Sequence, residues 1–196
     1  MPQDKTTTLQ SICDALLRGK CDEAAYIARK HYPFEPRVKV KRKYTKLQSM
    51  RIFLRDGFID RYAGSRLVHP AVLRLLTKLL PDEFPFQSNW KMSETHMVFW
   101  EMFPTIDHLL PVARGGVDGE SNWVTTSMLH NGAKSQWTLE ELGWKCLPPG
   151  NLLKWDGLTR WFLDYVGTHN GLRDDNYVDQ WYRASVEALR SNQGAK

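Results

Sequence analysis

Cysteine is scarce in this chain of 196 residues: Cys13, Cys21 and Cys146 are an odd number, far apart, with no CxxC pair. That count excludes a disulfide framework, argues against a cysteine-built zinc site and fits a reducing compartment, the cytoplasm. No apolar run approaches the roughly 18 residues that cross a bilayer, so no membrane partner is expected. The opening MPQDKTTTLQ lacks the apolar segment of a secretory signal. Internal repeats and low-complexity segments are missing too. Acid is missing locally: from Arg37 to Arg55 there are eight Lys and Arg and neither Asp nor Glu.

What is present describes a globular chain. Hydrophobic residues make up 42% and charged ones 25%, which rules out a disordered class. The net charge of +5 is modest for a nucleic-acid binder, so its distribution carries more weight than its size. Within the acid-free strip, Lys39, Lys41, Arg42, Lys43, Lys46 and Arg51 have two readings. They form a solvated basic face, or they track a phosphate backbone and release its counterions.

Periodicity predicts two short helices over residues 6–31, stopped by Pro33 and Pro36. A third helix is expected over 45–55, before a turn at Asp56-Gly57. HPAVLRLLTKLL reads as a helix with Pro70 in its first turn. SETHMVFWEMFP reads as a helix capped by Ser93. TIDHLLPV reads as a strand ending at Pro111, NWVTT as a second strand, and a helix follows from Ser127. Thr138-x-x-Glu141 has the form of a capping box. Apolar stripes through Phe162 and Val166, and through Val178 and Trp181, mark two terminal helices. The class expected is α+β and mostly helical.

Between residues 107 and 134 the chemistry-capable side chains are Asp107, His108, Asn122, His130, Asn131 and Lys134. Hydrolysis of a phosphodiester needs an activated water, a base and a cation on the leaving oxygen. A strand and an adjacent helix can hold such groups on one wedge.

The stretch DHLLPVARGGVDGESNWVTTSMLHNGAK resembles the ββα-metal motif of the HNH (His-Me finger) endonucleases. Members typically read Asp-His-Ile, a proline three places after the histidine, paired glycines, Asn-Leu, then a helix with Asn-x-x-Lys. This chain has Asp107-His108-Leu109, Pro111, Gly115-Gly116, Asn122-Trp123 and Asn131-Gly132-Ala133-Lys134. His108 and Asn122 are fourteen apart and Asn122 and Asn131 nine, as in the HNH domain of CRISPR effectors.

The resemblance implies a role for each position. His108 would be the general base, for which histidine's ordinary pKa of about 6.5 is suited. Asp107 and Asn131 would ligate Mg²⁺ or Mn²⁺, which favour hard oxygen donors. Asn122 would hold the catalytic loop, and Lys134 would meet a phosphate or solvate the helix. The implied activity is metal-dependent cleavage of DNA, RNA being open too, to 5′-phosphate and 3′-hydroxyl ends, in a restriction or defence setting. A homodimer would let one site per chain cut both strands. Two other readings stand beside it: a non-cleaving nucleic-acid-binding protein, and a nuclease subunit targeted by a partner.

Domain limits follow: a helical region over 1–36, a nuclease domain over 37–148 with a basic lead-in and a helical insertion at 65–103, and a helical region over 149–196. Many family members carry a zinc staple from two CxxC pairs, the first within RDGxxCxYCG. Here RDGFIDRYAG, Arg55 to Gly64, has Asp60 and Ala63 at the cysteine places, and Ser127 and His130 take the other two. No structural zinc is expected. The four positions should still cluster, with packing or an Asp60–His130 hydrogen bond replacing the metal. On this register Asn131 is the ligand and His130 is structural.

Overall fold

The computed structural model describes residues 4–36 and 44–193, so Lys39, Lys41, Arg42 and Lys43 of the basic strip lie outside the described residues. The chain divides into two units, Met1–Lys39 and Val40–Lys196.

The first unit is a helical hairpin. Helix α1 (Lys5–Leu17) starts where the Asp4 carboxylate accepts the Thr6 N–H at 3.0 Å. Helix α2 (Cys21–His31) opens with Asp22 and Glu23 and closes with Arg29, Lys30 and His31, the charge order that its dipole favours. Thr8, Ala15 and Ala24 are buried, all small enough for a close approach.

The second unit holds the strands. Helix α3 (Lys46–Arg55) begins at a full capping box, in which Thr45 and Gln48 bond each other's backbone N–H groups. Helix α4 (Pro70–Leu79) has proline at its first position, and the His69 ring accepts the Ala71 N–H at 3.1 Å. Helix α5 (Val98–Glu101) is only four residues long. Ser93 does not cap it, because residues Met92–Glu94 form a separate 3-10 turn and His96 Nδ1 accepts the Val98 N–H instead.

Strands β1 (Pro104–His108) and β2 (Trp123–Ser127) pair antiparallel, in register from Pro104↔Ser127 to His108↔Trp123. Strand β1 ends three residues short of the predicted Pro111. The Asn122 side chain, rather than a ladder partner, accepts the Leu110 N–H at 2.9 Å and bends the chain away. Helix α6 (Met128–Lys134) follows β2 without a loop, since Ser127 ends the strand and caps the helix by accepting the His130 N–H. Helix α7 (Leu139–Leu142) has the expected Thr138–Glu141 capping box. Helices α8 (Thr159–Thr168) and α9 (Asn176–Gln193) complete the unit.

One apolar core runs through this unit. Met50 and Phe53 of α3, Val72 of α4, Phe162 of α8 and Val178 and Trp181 of α9 belong to it, as do Ile106 and Trp123 of the strands. Residues after 149 therefore share the core of the ribbon and are not a separate appendage. Asp56, fully buried, ties α3 to β2: Oδ2 accepts the Thr125 N–H at 2.7 Å, and Oδ1 pairs with Arg61 at 2.7 Å. Among the described residues no helix is long and apolar enough to cross a membrane.

Candidate active site

Asp107 and His108 close β1, and both are buried. Alternation along a strand sends neighbouring side chains to opposite faces, so the two meet different surroundings. Asp107 Oδ2 accepts the Tyr62 hydroxyl at 2.7 Å and pairs with the Lys134 ammonium at 2.9 Å. Burial first, and then the charge of Asp107, push the Tyr62 phenol upward in pKa, so it remains a proton donor to that carboxylate.

His108 is 1% exposed. Its Nε2 lies 2.8 Å from Asp118 Oδ1 and 3.1 Å from the Trp123 indole nitrogen, which itself donates to Asp118 Oδ1 at 2.9 Å. With a proton on Nε2, the carboxylate oxygen collects both N–H groups. Without it, a carboxylate would face an imidazole lone pair. The Tyr44 and Trp123 rings flank this histidine, with centroids 6.3 and 6.4 Å away.

Asn122 clasps the loop between the strands. Its Oδ1 takes the Leu110 N–H, and its amide donates to Leu110 O at 2.8 Å and Val117 O at 2.9 Å. Gly116 lies within the same loop, where a Cβ would stand 1.9 Å from Leu110 O, so no larger residue fits. Arg114 anchors the loop from outside by a two-oxygen pair with Glu141 at 2.8 and 2.9 Å. The Thr138 N–H, then Arg114, hold the Glu141 carboxyl down at about 2.

Asn131 comes from α6. Its amide nitrogen donates to Thr105 Oγ1 at 2.9 Å and Ile106 O at 3.2 Å, both on β1. The helix residue is thereby laid on the strand that carries Asp107 and His108. The neighbouring His130 is turned away to a separate cluster. Its Nδ1 lies 2.7 Å from Asp60 Oδ2 and 3.0 Å from Ser127 Oγ, with Trp144 edge-on at 5.7 Å. Asp60 also takes the N–H groups of Tyr62, Ala63 and Ser127 and the Thr126 hydroxyl. Burial alone would raise its pKa, but the N–H groups of Ser127 and Tyr62, with the Ser127 and His130 side chains, hold it below the ordinary value. The expected Asp60–His130 hydrogen bond is present.

The basic residues divide differently from the expectation. Lys134 neither meets solvent nor faces a phosphate: it is 0% exposed, donating to His108 O at 2.7 Å and pairing with Asp107. Lys46 is half-buried, bonds Gln180 Oε1 at 2.6 Å and lies over the Tyr177 and Trp181 rings. Burial lowers its pKa. Arg51 is exposed on α3. Sequence reasoning missed Tyr62 and Asp118. A signal existed for Asp118, an acid ten residues after His108 in a glycine-bearing loop. For Tyr62, far upstream, there was none.

No protein-family model, curated protein or solved structure matches the chain.

Among the described residues no group of three or more His, Cys, Asp and Glu is arranged to hold a metal ion. Both contacts to Asp107 fall on Oδ2, and both contacts from Asn131 leave through its nitrogen. Asp107 Oδ1 and Asn131 Oδ1 thus carry no hydrogen bond among the described residues, and both are hard oxygens, the atom type that Mg²⁺ and Mn²⁺ favour.

Proposed function

We propose that the chain is a metal-dependent endonuclease of the HNH type, built on a ββα-metal core and hydrolysing DNA to 5′-phosphate and 3′-hydroxyl ends. One observation carries this reading. The Asn131 amide bonds Thr105 Oγ1 and Ile106 O, which sets α6 against the strand ending in Asp107-His108.

His108 takes a proton from the attacking water as its oxygen bonds to phosphorus, and the bond to the 3′ oxygen breaks. The imidazole then carries two protons, and Asp118, already facing Nε2, offsets its positive charge as the carboxylate of a catalytic triad does. Asn122 keeps the loop, and so the His108–Asp118 pairing, in place. Asp107 and Asn131 would hold the divalent cation through their Oδ1 atoms. When bound, it would polarise the phosphate and offset charge on the leaving 3′ oxygen. Buried Trp123 and half-buried Tyr44 keep water off one side of the imidazole.

The test is nicking of supercoiled plasmid across a metal series. Nicking with Mg²⁺ or Mn²⁺ is expected, reduced by about 10²–10⁴-fold in His108→Ala, with DNA binding retained. Near-wild-type turnover in that variant overturns the base assignment. The buried Lys134 ammonium, already neutralising Asp107, favours a second reading, a non-cleaving nucleic-acid binder. Binding without nicking in any metal is its outcome.

A further inference from the structure

Beyond the opposite end of β1 from His108, the second unit contains a cavity of about 390 Å³ that none of this chemistry uses. That is the size of a small-ligand pocket. Its walls are Phe86, Trp90, Phe99, Phe103 and Tyr177, with Arg74 of α4 among them. The aromatic rings are locked together. Phe86 and Phe99 centroids lie 4.6 Å apart, and Trp90 meets Phe86, Phe99 and Phe103 edge-on at 5.5, 6.1 and 5.4 Å.

The loop presenting Trp90 is built around one side chain. The Gln87 carboxamide oxygen accepts the N–H groups of Asn89 and Lys91, its backbone carbonyl accepts that of Trp90, and its own N–H donates to Thr95 Oγ1. Trp90 is held at φ +58°, a left-handed conformation unfavourable for an aromatic residue. Arg74 is half-buried, with its guanidinium 5.9 Å over the Phe86 ring, and among the described residues no carboxylate pairs with it. Burial raises the Tyr177 phenol to about 12, so it stands in the wall as a neutral hydroxyl, and Ser88 adds a second.

An aliphatic ligand would leave the guanidinium without a partner, and a free phosphate would have no use for five rings. A flat heterocycle with acceptor atoms on its edge answers both. We propose that this cavity receives one base everted from the nucleic-acid strand, with guanine best suited to Arg74 through O6 and N7. The proposal rests on the nucleic-acid reading above and deepens it. Phe103 adjoins the start of β1, whose ends are ~13 Å apart at about 3.3 Å per residue. A nucleic-acid strand running from His108 along β1 would reach the cavity. Everting a base for stacking among aromatic side chains is how proteins inspect single bases.

The test uses the full chain carrying His108→Ala, so that nothing is cut. The probe is a single-stranded oligonucleotide with the fluorescent guanine analogue methylisoxanthopterin at one position, and anisotropy of an end label reports binding separately. Quenching of the analogue on binding is expected. Arg74→Ala, and separately Ser88→Trp, which fills the cavity from an exposed position, should abolish it in proteins with unchanged circular dichroism. Affinity should fall about tenfold or more. Binding without quenching at any position, quenching that survives both variants, or no binding at all overturns the proposal. A wild type that quenches but never nicks plasmid keeps the cavity assignment and removes the endonuclease reading. One that nicks but never quenches does the reverse.

Discussion

Lys134 changes what Asp107 is. A carboxylate at the end of a buried strand normally requires a cation or several N–H donors, and here a lysine from the last turn of α6 supplies the charge while a phenol supplies a hydrogen bond. Removing one partner of such a pair leaves a buried charge unmatched. Lys134→Ala should therefore lower stability by about 3–5 kcal/mol, read from urea denaturation. Adding Asp107→Asn to it should recover part of the loss. An unchanged midpoint in the single variant would show that the pair contributes nothing. The intervals among Asp107, His108, Asn122 and Asn131 could be read from the sequence because they are local to one ribbon and one helix. The burial of Lys134 could not. A lysine near a helix C-terminus is usually solvated, and Tyr62, over which its ammonium sits, is distant in sequence. Asp118 was visible only as an acid in a turn.

At the scale of elements, two buried groups set how the molecule answers acid. His69 caps α4 through Nδ1, so Nε2 carries the proton and donates to Ser185 Oγ, whose own proton goes to Trp181 O. That relay joins α4 to α9, and complete burial depresses the His69 pKa to about 3. The unfolded chain takes up this proton near pH 6.5 and the folded chain does not. The stabilisation is thus whole above pH 6.5 and declines as pH falls toward 3, by up to about 1.4 kcal/mol per pH unit. Asp60 is the opposite charge type, yet its lowered pKa works in the same direction. Its contribution is full above about pH 4 and is lost only as pH drops through its depressed value. Stability measured by denaturation should fall from pH 6.5 downward and more steeply below 4. His69→Gln should flatten the upper part alone. A wild type with constant stability from pH 7 to 4.5 would contradict this account. Most helices were legible in the chain because caps are local: Thr45 and Gln48, Pro70, Ser127, Thr138 and Glu141. Helix α5 was misjudged at Ser93 because the side chain that accepts its first N–H is a histidine three residues later, packed against Phe84.

For the whole molecule the decisive pairing is α3 with α9, the first and last helices of the second unit. Phe53 stacks on Trp181 at 6.3 Å, and Val178, Ala184 and Ala188 are buried in the core that also receives Ile106 and Trp123. Deleting residues 176–196 should cost more than the unit can lose, since several fully buried side chains leave at once. Loss of the cooperative thermal transition by circular dichroism is the expected result. A truncated chain with an intact transition would place the core elsewhere. The terminal stripes were read correctly as core-forming, but their partner was not legible, because pairing across so many residues leaves no periodic trace. That separation also has a timing consequence. During synthesis the ribbon with Asp107 and His108 leaves the ribosome well before α9 does, and the core that holds Ile106 and Trp123 also needs Val178 and Trp181 of α9. The packing around the ribbon is therefore completed only after α9 has been made, a dependence that the ribbon's own short-range hydrogen bonds do not show.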